Sequence, residues 1–260
     1  MKLAIHGATG RMGLAVARLA RAAGDEIVGA ACASDDLALG RDIGEVAGLG
    51  ALGVVTSADV ASSLLGAGVV IDFSVARAVP GLAALAARQG VAVVSGTTSL
   101  DAAAQRALEK AAERVPVLWS PNMSLGVQVL SELVEQALRR LGPGYDAEIV
   151  ELHHRKKIDA PSGTARRLVD AARNARPGLR EVRGRDGDVG ARNDDEIGVF
   201  GVRGGDVIGD HTVYLLGPGE RLELTHRASS RELFAQGALR AARFLEGKPA
   251  GRYTIADVLG

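Results

Sequence analysis

The sequence predicts an α/β protein, with a doubly wound parallel sheet followed by a second, α+β domain that carries a mixed or antiparallel sheet. Three observations carry that expectation. Short apolar runs alternate with segments of helical periodicity over the first 120 residues. A glycine-rich turn joins the first run to the first helical segment. Beyond residue 122 the alternation stops and strand-like runs follow with one clear helix among them. Strand–helix alternation requires crossover connections, and crossovers build parallel sheets.

The elements follow in order. Lys2–His6 reads as a strand, and Met12, Ala15, Val16, Leu19 and Ala23 then recur at helical spacing. Glu26–Ala31 is the second strand. Val69-Val70-Ile71-Asp72-Phe73 has the continuous apolar character of a buried parallel strand. Val79, Leu82, Leu85 and Ala86 mark a helix, 91–95 a strand, 100–114 a helix with Asp101 near its start, and 117–119 a last short strand. Leu130, Leu133, Val134, Ala137, Leu138 and Leu141 form a long amphipathic helix that ends at Gly142-Pro143-Gly144. Strands are expected at 147–152, 196–202, 207–215 and 221–225, with a helix starting near Thr164. The Gly-, Arg- and Asp-rich stretch 176–192 reads as a loop or mobile segment. Leu233, Phe234, Ala238 and Phe244 return to helical spacing. The domains are placed at 1–122, completed by 231–260, and at 123–230, with a hinge near Asn122 and a return crossing near Ser230.

Composition limits the classes of function. A chain of 260 residues fits two domains of ~100–200 residues each. Its 47% apolar and 24% charged content matches a folded soluble protein and excludes a disordered one. Thirty-one basic residues balance thirty-one acidic ones, which gives no reason to expect nucleic acid or an anionic membrane as partner. No window approaches the ~18 apolar residues of a membrane span. His6, Gly7, Gly10 and Arg11 interrupt what would be a secretory signal. Cys32 is the one cysteine, so no internal disulfide forms, which fits a reducing, cytoplasmic compartment. Cys32 itself reads as a small packed residue.

Gly7-Ala8-Thr9-Gly10-Arg11-Met12-Gly13 lies between the first strand and the first helix. Glycines there let the backbone approach a pyrophosphate, and the helix N-terminus offers N–H groups and a positive dipole end. The spacing departs from G-x-G-x-x-G, because Thr9 occupies the second glycine position. An acidic residue is expected where the second strand ends if the bound ribose has free hydroxyls. That slot falls near Ala33 or Ser34, neither of them acidic, with Asp35 able to enter it if the strand end bulges. Ser34 and Arg11 are candidate donors to a 2′-phosphate, and the choice between NADPH and NADH stays open. Asp72-Phe73-Ser74, Gly96-Thr97-Thr98 and Ser120-Pro121-Asn122-Met123 follow later strands, at the edge where open α/β sheets bind ligands.

The densest polar run is Glu151-Leu152-His153-His154-Arg155-Lys156-Lys157-Ile158-Asp159-Ala160-Pro161-Ser162-Gly163-Thr164-Ala165. Histidine moves protons near neutral pH, and lysine holds charge that develops in a transition state. Pro161 biases Ala160 towards an extended conformation. Ser162-Gly163-Thr164 then opens a helix whose N–H groups suit a carboxylate. Zinc is disfavoured, for no Cys partners or His-x-x-x-His spacing accompany the paired histidines. His6 reads as a structural strand-end residue, and His211 and His226 as core or interface histidines.

This run resembles the signature of the 4-hydroxy-tetrahydrodipicolinate reductase family, formerly called dihydrodipicolinate reductase. The likeness extends nearly end to end, through 7–13, Asp72-Phe73-Ser74, Gly96-Thr97-Thr98, Asn122, Gly205-Asp206, Gly209-Asp210-His211 and 225–231. The resemblance implies NAD(P)H-dependent reduction of a cyclic imine dicarboxylate in the diaminopimelate route to lysine. It assigns His153 as general acid and Lys157 as the second proton-donating or charge-stabilising residue. It gives His154, Gly163 and Thr164 to the substrate's carboxylates. It gives Gly7, Ala8, Thr9, Gly10, Arg11, Met12, Gly96, Thr97, Thr98, Ser120, Pro121, Asn122 and Met123 to the cofactor. It also implies a homotetramer joined through the second domains. Ser99 replaces a glycine common in the family, a departure expected to matter little. The missing acid near Ala33 and Ser34 favours NADPH or dual use. Two rivals stand beside this reading: an oxidoreductase of another amino-acid-derived imine, such as an aspartate dehydrogenase, and a non-catalytic nicotinamide-binding sensor.

Overall fold

The computed structural model describes residues 1–260. Its contacts divide the chain into two compact units, Met1–Ser124 with Glu232–Gly260, and Leu125–Arg231.

In the first unit, β1 (Lys2–His6), α1 (Arg11–Ala22), β2 (Glu26–Ala31), α2 (Ile43–Ala47), β3 (Thr56–Ser57), α3 (Val60–Ser63), β4 (Val69–Asp72), α4 (Val79–Gln89), β5 (Ala92–Ser95), α5 (Ala102–Ala112) and β6 (Pro116–Trp119) follow in order. The sheet runs β3-β2-β1-β4-β5-β6, and every pairing in it is parallel. The chain leaves β1 for β2 on one side and later returns to β4 on the other, so the strand order reverses beside β1. That reversal is where open α/β sheets hold ligands. β4 and β5 are buried along their whole length, which is why they read as unbroken apolar runs. Val70, Val93 and Val117 from the strands and Leu82, Ala86, Leu108 and Ala111 from α4 and α5 share one core. Each fully buried Val or Leu contributes about 1.5–3 kcal/mol. The caps follow local chemistry. Asp101 accepts from the N–H of Ala104 at the start of α5, and Gly90 closes α4 in the left-handed conformation.

The second unit contains α6 (Leu125–Leu141), β7 (Asp146–His153), α7 (Gly163–Ala175), β8 (Arg180–Val182), β9 (Glu196–Arg203), β10 (Gly209–Gly217) and β11 (Glu220–Ala228). Its sheet order is β11-β10-β7-β9-β8. β10 pairs antiparallel with β7 and β11, whereas β9 pairs parallel with β7 and β8, so the sheet is mixed. Leu130 and Val134 of α6 and Leu168 and Ala172 of α7 pack with Ala147, Ile149, Ile197, Val199, Val213 and Leu215 of the strands. Alternate residues of β7 are buried. Strand period therefore carries Glu151 and His153 onto the same face as Ala147 and Ile149.

The chain then re-enters the first unit through α8 (Glu232–Leu245), β12 (Gly251–Tyr253) and α9 (Ile255–Leu259). β12 extends the seven-stranded sheet beside β6. The strand 117–119, expected to be the last of this sheet, is therefore not its edge. Gly237 of α8 lies so close to the Met123 carbonyl that a Cβ would fall 1.8 Å from its oxygen.

The stretch 176–192 is a loop, as expected, except for the three residues of β8, and its arginines are held by carboxylates: Arg185 by Glu148 and Glu196, and Arg192 by Asp146 and Glu148. Paired charges, rather than apolar periodicity, order it. No helix is long and apolar enough to cross a membrane.

Candidate functional site

The glycine turn is built by contacts too close for side chains. Gly7 has φ +75° and turns the chain sharply after β1. The N–H groups of Gly7 and Ala8 both donate to the Ala31 carbonyl, at 3.0 and 2.9 Å. A Cβ on Gly7 would fall 2.6 Å from the Phe73 carbonyl oxygen, and one on Gly13 would fall 2.2 Å from that of Gly7. α1 begins at Gly10 with no side-chain cap and no acid in its first turn. Its first N–H groups and dipole are left to an outside anion, and the cradle fits a dinucleotide pyrophosphate. Arg11 is exposed beside it and Met12 half-buried.

Beyond β2, Ser34 and Asp35 are exposed. The acid that meets the turn is Asp36: Thr9 Oγ1 donates to its Oδ2 at 2.6 Å, and the N–H of Ala38 donates to its Oδ1 at 2.8 Å. The expected position near Ala33, Ser34 or Asp35 is corrected to Asp36, because a turn closed by Asp36 N–H to Ala33 O brings the later residue round. The bond from Thr9, and then that from Ala38, hold the Asp36 carboxyl below its ordinary range.

The other strand-end segments divide by orientation. Asp72 is fully buried, and its carboxylate is a hub within the sheet. Oδ1 accepts from His6 Nδ1 at 2.8 Å and from Ser74 N at 3.1 Å, and Oδ2 accepts from Ser95 Oγ at 2.6 Å and Thr97 Oγ1 at 2.8 Å. Burial would raise its pKa, but the bonds and charge from His6, with Ser74 and Ser95, hold it low. The side chains of Ala8, Thr97 and Met123 are buried, so these three offer a ligand only backbone groups. Thr98 is exposed. A Cβ on Gly96 would overlap the Phe73 ring at 2.1 Å, which ties this segment to the loop after β4. Ser120 Oγ donates to the Asn122 carbonyl and Asn122 Oδ1 accepts from Ser124 N, while Pro121 is exposed. Ser99 has φ +58°, the one non-glycine residue in the left-handed region, a conformation that costs an L residue about 1–2 kcal/mol.

In the second unit, β7 ends at His153, a loop carries His154, Lys156 and Lys157, and Ser162 caps α7 through Ala165 N at 3.1 Å. The Ala160–Pro161 peptide is cis. His153 Nδ1 is bonded to Glu151 Oε2. Arg203 donates to both oxygens of Glu151, at 2.9 and 2.8 Å, and Ser162 N donates to Oε1 at 3.1 Å. Burial alone would raise the Glu151 carboxyl, but the bonds and charges of His153 and Arg203 bring it down to about 2. The His211 ring meets His153 edge-on, with centroids 5.1 Å apart, and its Nε2 bonds Ser162 Oγ at 3.1 Å. Burial, and next the neighbouring His153, lower His211 to about 3, so it is neutral. The Nδ1 atoms of His211 and His154 are buried without hydrogen-bond partners. Burial, then the charges of Arg231, His153 and the two lysines, lower the His154 pKa. Lys157 Nζ donates to Asp159 Oδ1 at 2.8 Å. His153, His154, Lys157, Ser162, Gly163 and Thr164 thus share one end of β7 and α7.

Glu151, Arg203 and His211 were not among the candidates from sequence. His211, expected as a core or interface histidine, lies beside His153. Register explains all three: on β10, His211 stands opposite Glu151, and on β9, Arg203 stands opposite His153.

A glycine turn at the reversal of a parallel sheet suits a dinucleotide, and a separate cluster of imidazole and ammonium groups suits an anionic substrate. The class so defined is a nicotinamide-dinucleotide-dependent oxidoreductase. The family models of the dihydrodipicolinate reductase N-terminus and C-terminus match residues 1–123 and 126–259. A 4-hydroxy-tetrahydrodipicolinate reductase of Anaeromyxobacter sp. (strain Fw109-5) is 50% identical, over 100% of this chain and 98% of the relative. The enzyme of that name from Myxococcus xanthus is 45% identical, over 100% and 98%. The chain belongs to the dihydrodipicolinate reductase family. A dipicolinate-bound dihydrodipicolinate reductase from Paenisporosarcina sp. TG-14 shares the fold, with a TM-score of 0.80 and 22% identity over 99% of this chain and 98% of that one. Family membership sets aside both rival readings, the aspartate dehydrogenase type and the sensor.

Proposed function

We propose that this protein reduces 4-hydroxy-tetrahydrodipicolinate to tetrahydrodipicolinate, with NADPH or NADH, in the diaminopimelate route to lysine. The observation that carries this reading is 50% identity, along the entire chain, to a curated relative of that name. The balance is one substrate, one NAD(P)H and one proton in, and one tetrahydrodipicolinate, one NAD(P)⁺ and one water out. The nucleotide, when bound, supplies the hydride.

The chain supplies binding, charge and the proton. The turn from Gly7 to Met12 and the bare N-terminus of α1 hold the pyrophosphate, with Ser34, Gly96, Thr97, Thr98, Ser120, Pro121, Asn122 and Met123 along the rest of the nucleotide. Gly163 and Thr164, at the N-terminus of α7 capped by Ser162, take one substrate carboxylate, with His154 beside them. Lys157 offsets negative charge on the ring. Its carboxylate partner Asp159 is itself well exposed, so a substrate carboxylate can replace it without stranding a buried charge. His153 delivers the proton from Nε2 to the carbon beside the reduced one.

We further read the chain as a cytoplasmic homotetramer joined through residues 125–231. Val150, Leu152, Phe200, Val202, Tyr214 and Leu216 alternate with the core residues of β7, β9 and β10, and none of the six is buried. They give that sheet an apolar face directed away from its core, which supports a partner there.

The test is a coupled assay. The upstream synthase condenses pyruvate with aspartate semialdehyde, and NADPH and NADH loss are followed separately. Nucleotide oxidation should depend on the condensation product. His153→Gln and Lys157→Ala should each lower kcat on the order of 100-fold while NADPH still binds. Full turnover in both variants, or no oxidation by the parent protein, rejects the reading.

A further inference from the structure

Glu151 has no exposed surface and is surrounded by donors alone: His153, both arms of Arg203, and the N–H of Ser162. Arg203 also donates to the Asp159 carbonyl at 2.7 Å, so one guanidinium holds both this carboxylate and the loop that bears Lys157. An ionised carboxylate is acceptor only, so the hydrogen between the two residues belongs to His153 Nδ1. Nε2 is then the nitrogen free to gain and lose a proton. It faces Gly209, where an added Cβ would fall 2.9 Å away. Ser162 continues the chain of contacts. Its N–H meets Glu151, and its hydroxyl meets His211 and caps α7.

We propose that Glu151, clamped by Arg203, is a positioning residue for the reduction: it keeps hydrogen on Nδ1 of His153 in both protonation states and fixes that ring against the N-terminus of α7. The proposal rests on the reading of His153 as the proton donor. A purely structural pair would show the same tautomer, but its loss would leave kcat of the folded variant unchanged, so a fall in kcat at unchanged NADPH affinity separates the two roles.

The experiment records two-bond ¹H–¹⁵N spectra of the histidine rings in alkaline buffer, with His153 assigned by its loss in His153→Gln. The parent protein should show the Nδ1–H tautomer. In Glu151→Gln the amide oxygen turns to Arg203 and the amide NH₂ to His153, so hydrogen moves to Nε2. The second variant, Glu151→Leu with Arg203→Met, removes both charges together and leaves neither stranded. In both variants kcat should fall on the order of 100-fold, with the NADPH dissociation constant unchanged. Retention of the Nδ1–H tautomer in either variant, or turnover near the parent rate in the double variant, overturns the proposal. A parent protein that oxidises neither nucleotide sinks the functional reading, whereas a parent protein that turns over with the His153 hydrogen on Nε2 sinks the proposal alone.

Discussion

Asp36 joins the glycine turn through the 2.6 Å bond from Thr9, and its carboxyl is held low, so it is negative at neutral pH. Counting along the strand points to Ala33 or Ser34, because the count assumes an extended chain. The turn between Ala33 and Asp36 breaks that assumption, and no motif in the sequence announces it. A negative group here accepts from ribose hydroxyls and repels a 2′-phosphate. Asp36→Asn should therefore raise the ratio of kcat/KM for NADPH over NADH by roughly tenfold. Separate kinetics with the two nucleotides check it, and an unchanged ratio would confine Asp36 to bracing the turn.

The turn and α1 act as one element, and Gly13 tests it. A Cβ there would meet two carbonyl oxygens, at 2.2 Å from Gly7 and 2.6 Å from Ala8, and backbone cannot move aside as a side chain can. Gly13→Ala should raise the KM for NADPH about tenfold or more, through displacement of the pyrophosphate cradle. Gly10→Ala, with a single contact at 3.3 Å, should do much less. A KM for NADPH equal to the parent's in Gly13→Ala would show that the cradle does not bind the nucleotide. The elements legible in the sequence are those ordered by apolar periodicity, such as β4, β5, α5 and α6. α2 and the chain beyond it are ordered differently. The Asp42 carboxylate accepts from the N–H groups of Gly44, Glu45, Leu52, Gly53 and Val54, so one side chain replaces the missing pattern. β8 and β12 have three residues each, too few to show a period. The site divides in the same way. Residues 153–164 are contiguous and therefore readable, with Glu151 in the same run but given no role, whereas Arg203 and His211 reach Glu151 and Ser162 only through strand register, across about fifty positions.

At the scale of the whole molecule, the proposed acid–base cluster makes stability depend on pH in a definite direction. His211 is neutral in the folded protein down to about 3, against 6.5 for a free imidazole. Below pH 6.5 the unfolded chain takes up a proton that the folded chain refuses, so stability falls from there towards pH 3. His154 and His226, both also lowered by burial, add in the same direction. Glu151, ionised down to about 2 against an ordinary 4.5, stabilises the fold fully above pH 4.5 and loses that contribution as pH drops towards 2. For His211 and Glu151 the slope is up to about 1.4 kcal/mol per pH unit between the two pKa values of each group. These groups lie in the unit Leu125–Arg231, so calorimetry from neutral pH to pH 4.5 should lower the transition of that unit first. His211→Asn keeps a polar partner for Ser162 but does not titrate, and it should flatten the slope between pH 6.5 and 4.5 while leaving the drop below 4.5. An equally steep upper slope in His211→Asn would mean that this ring is charged in the folded protein. It could not then be the neutral imidazole against which His153 and Ser162 are set.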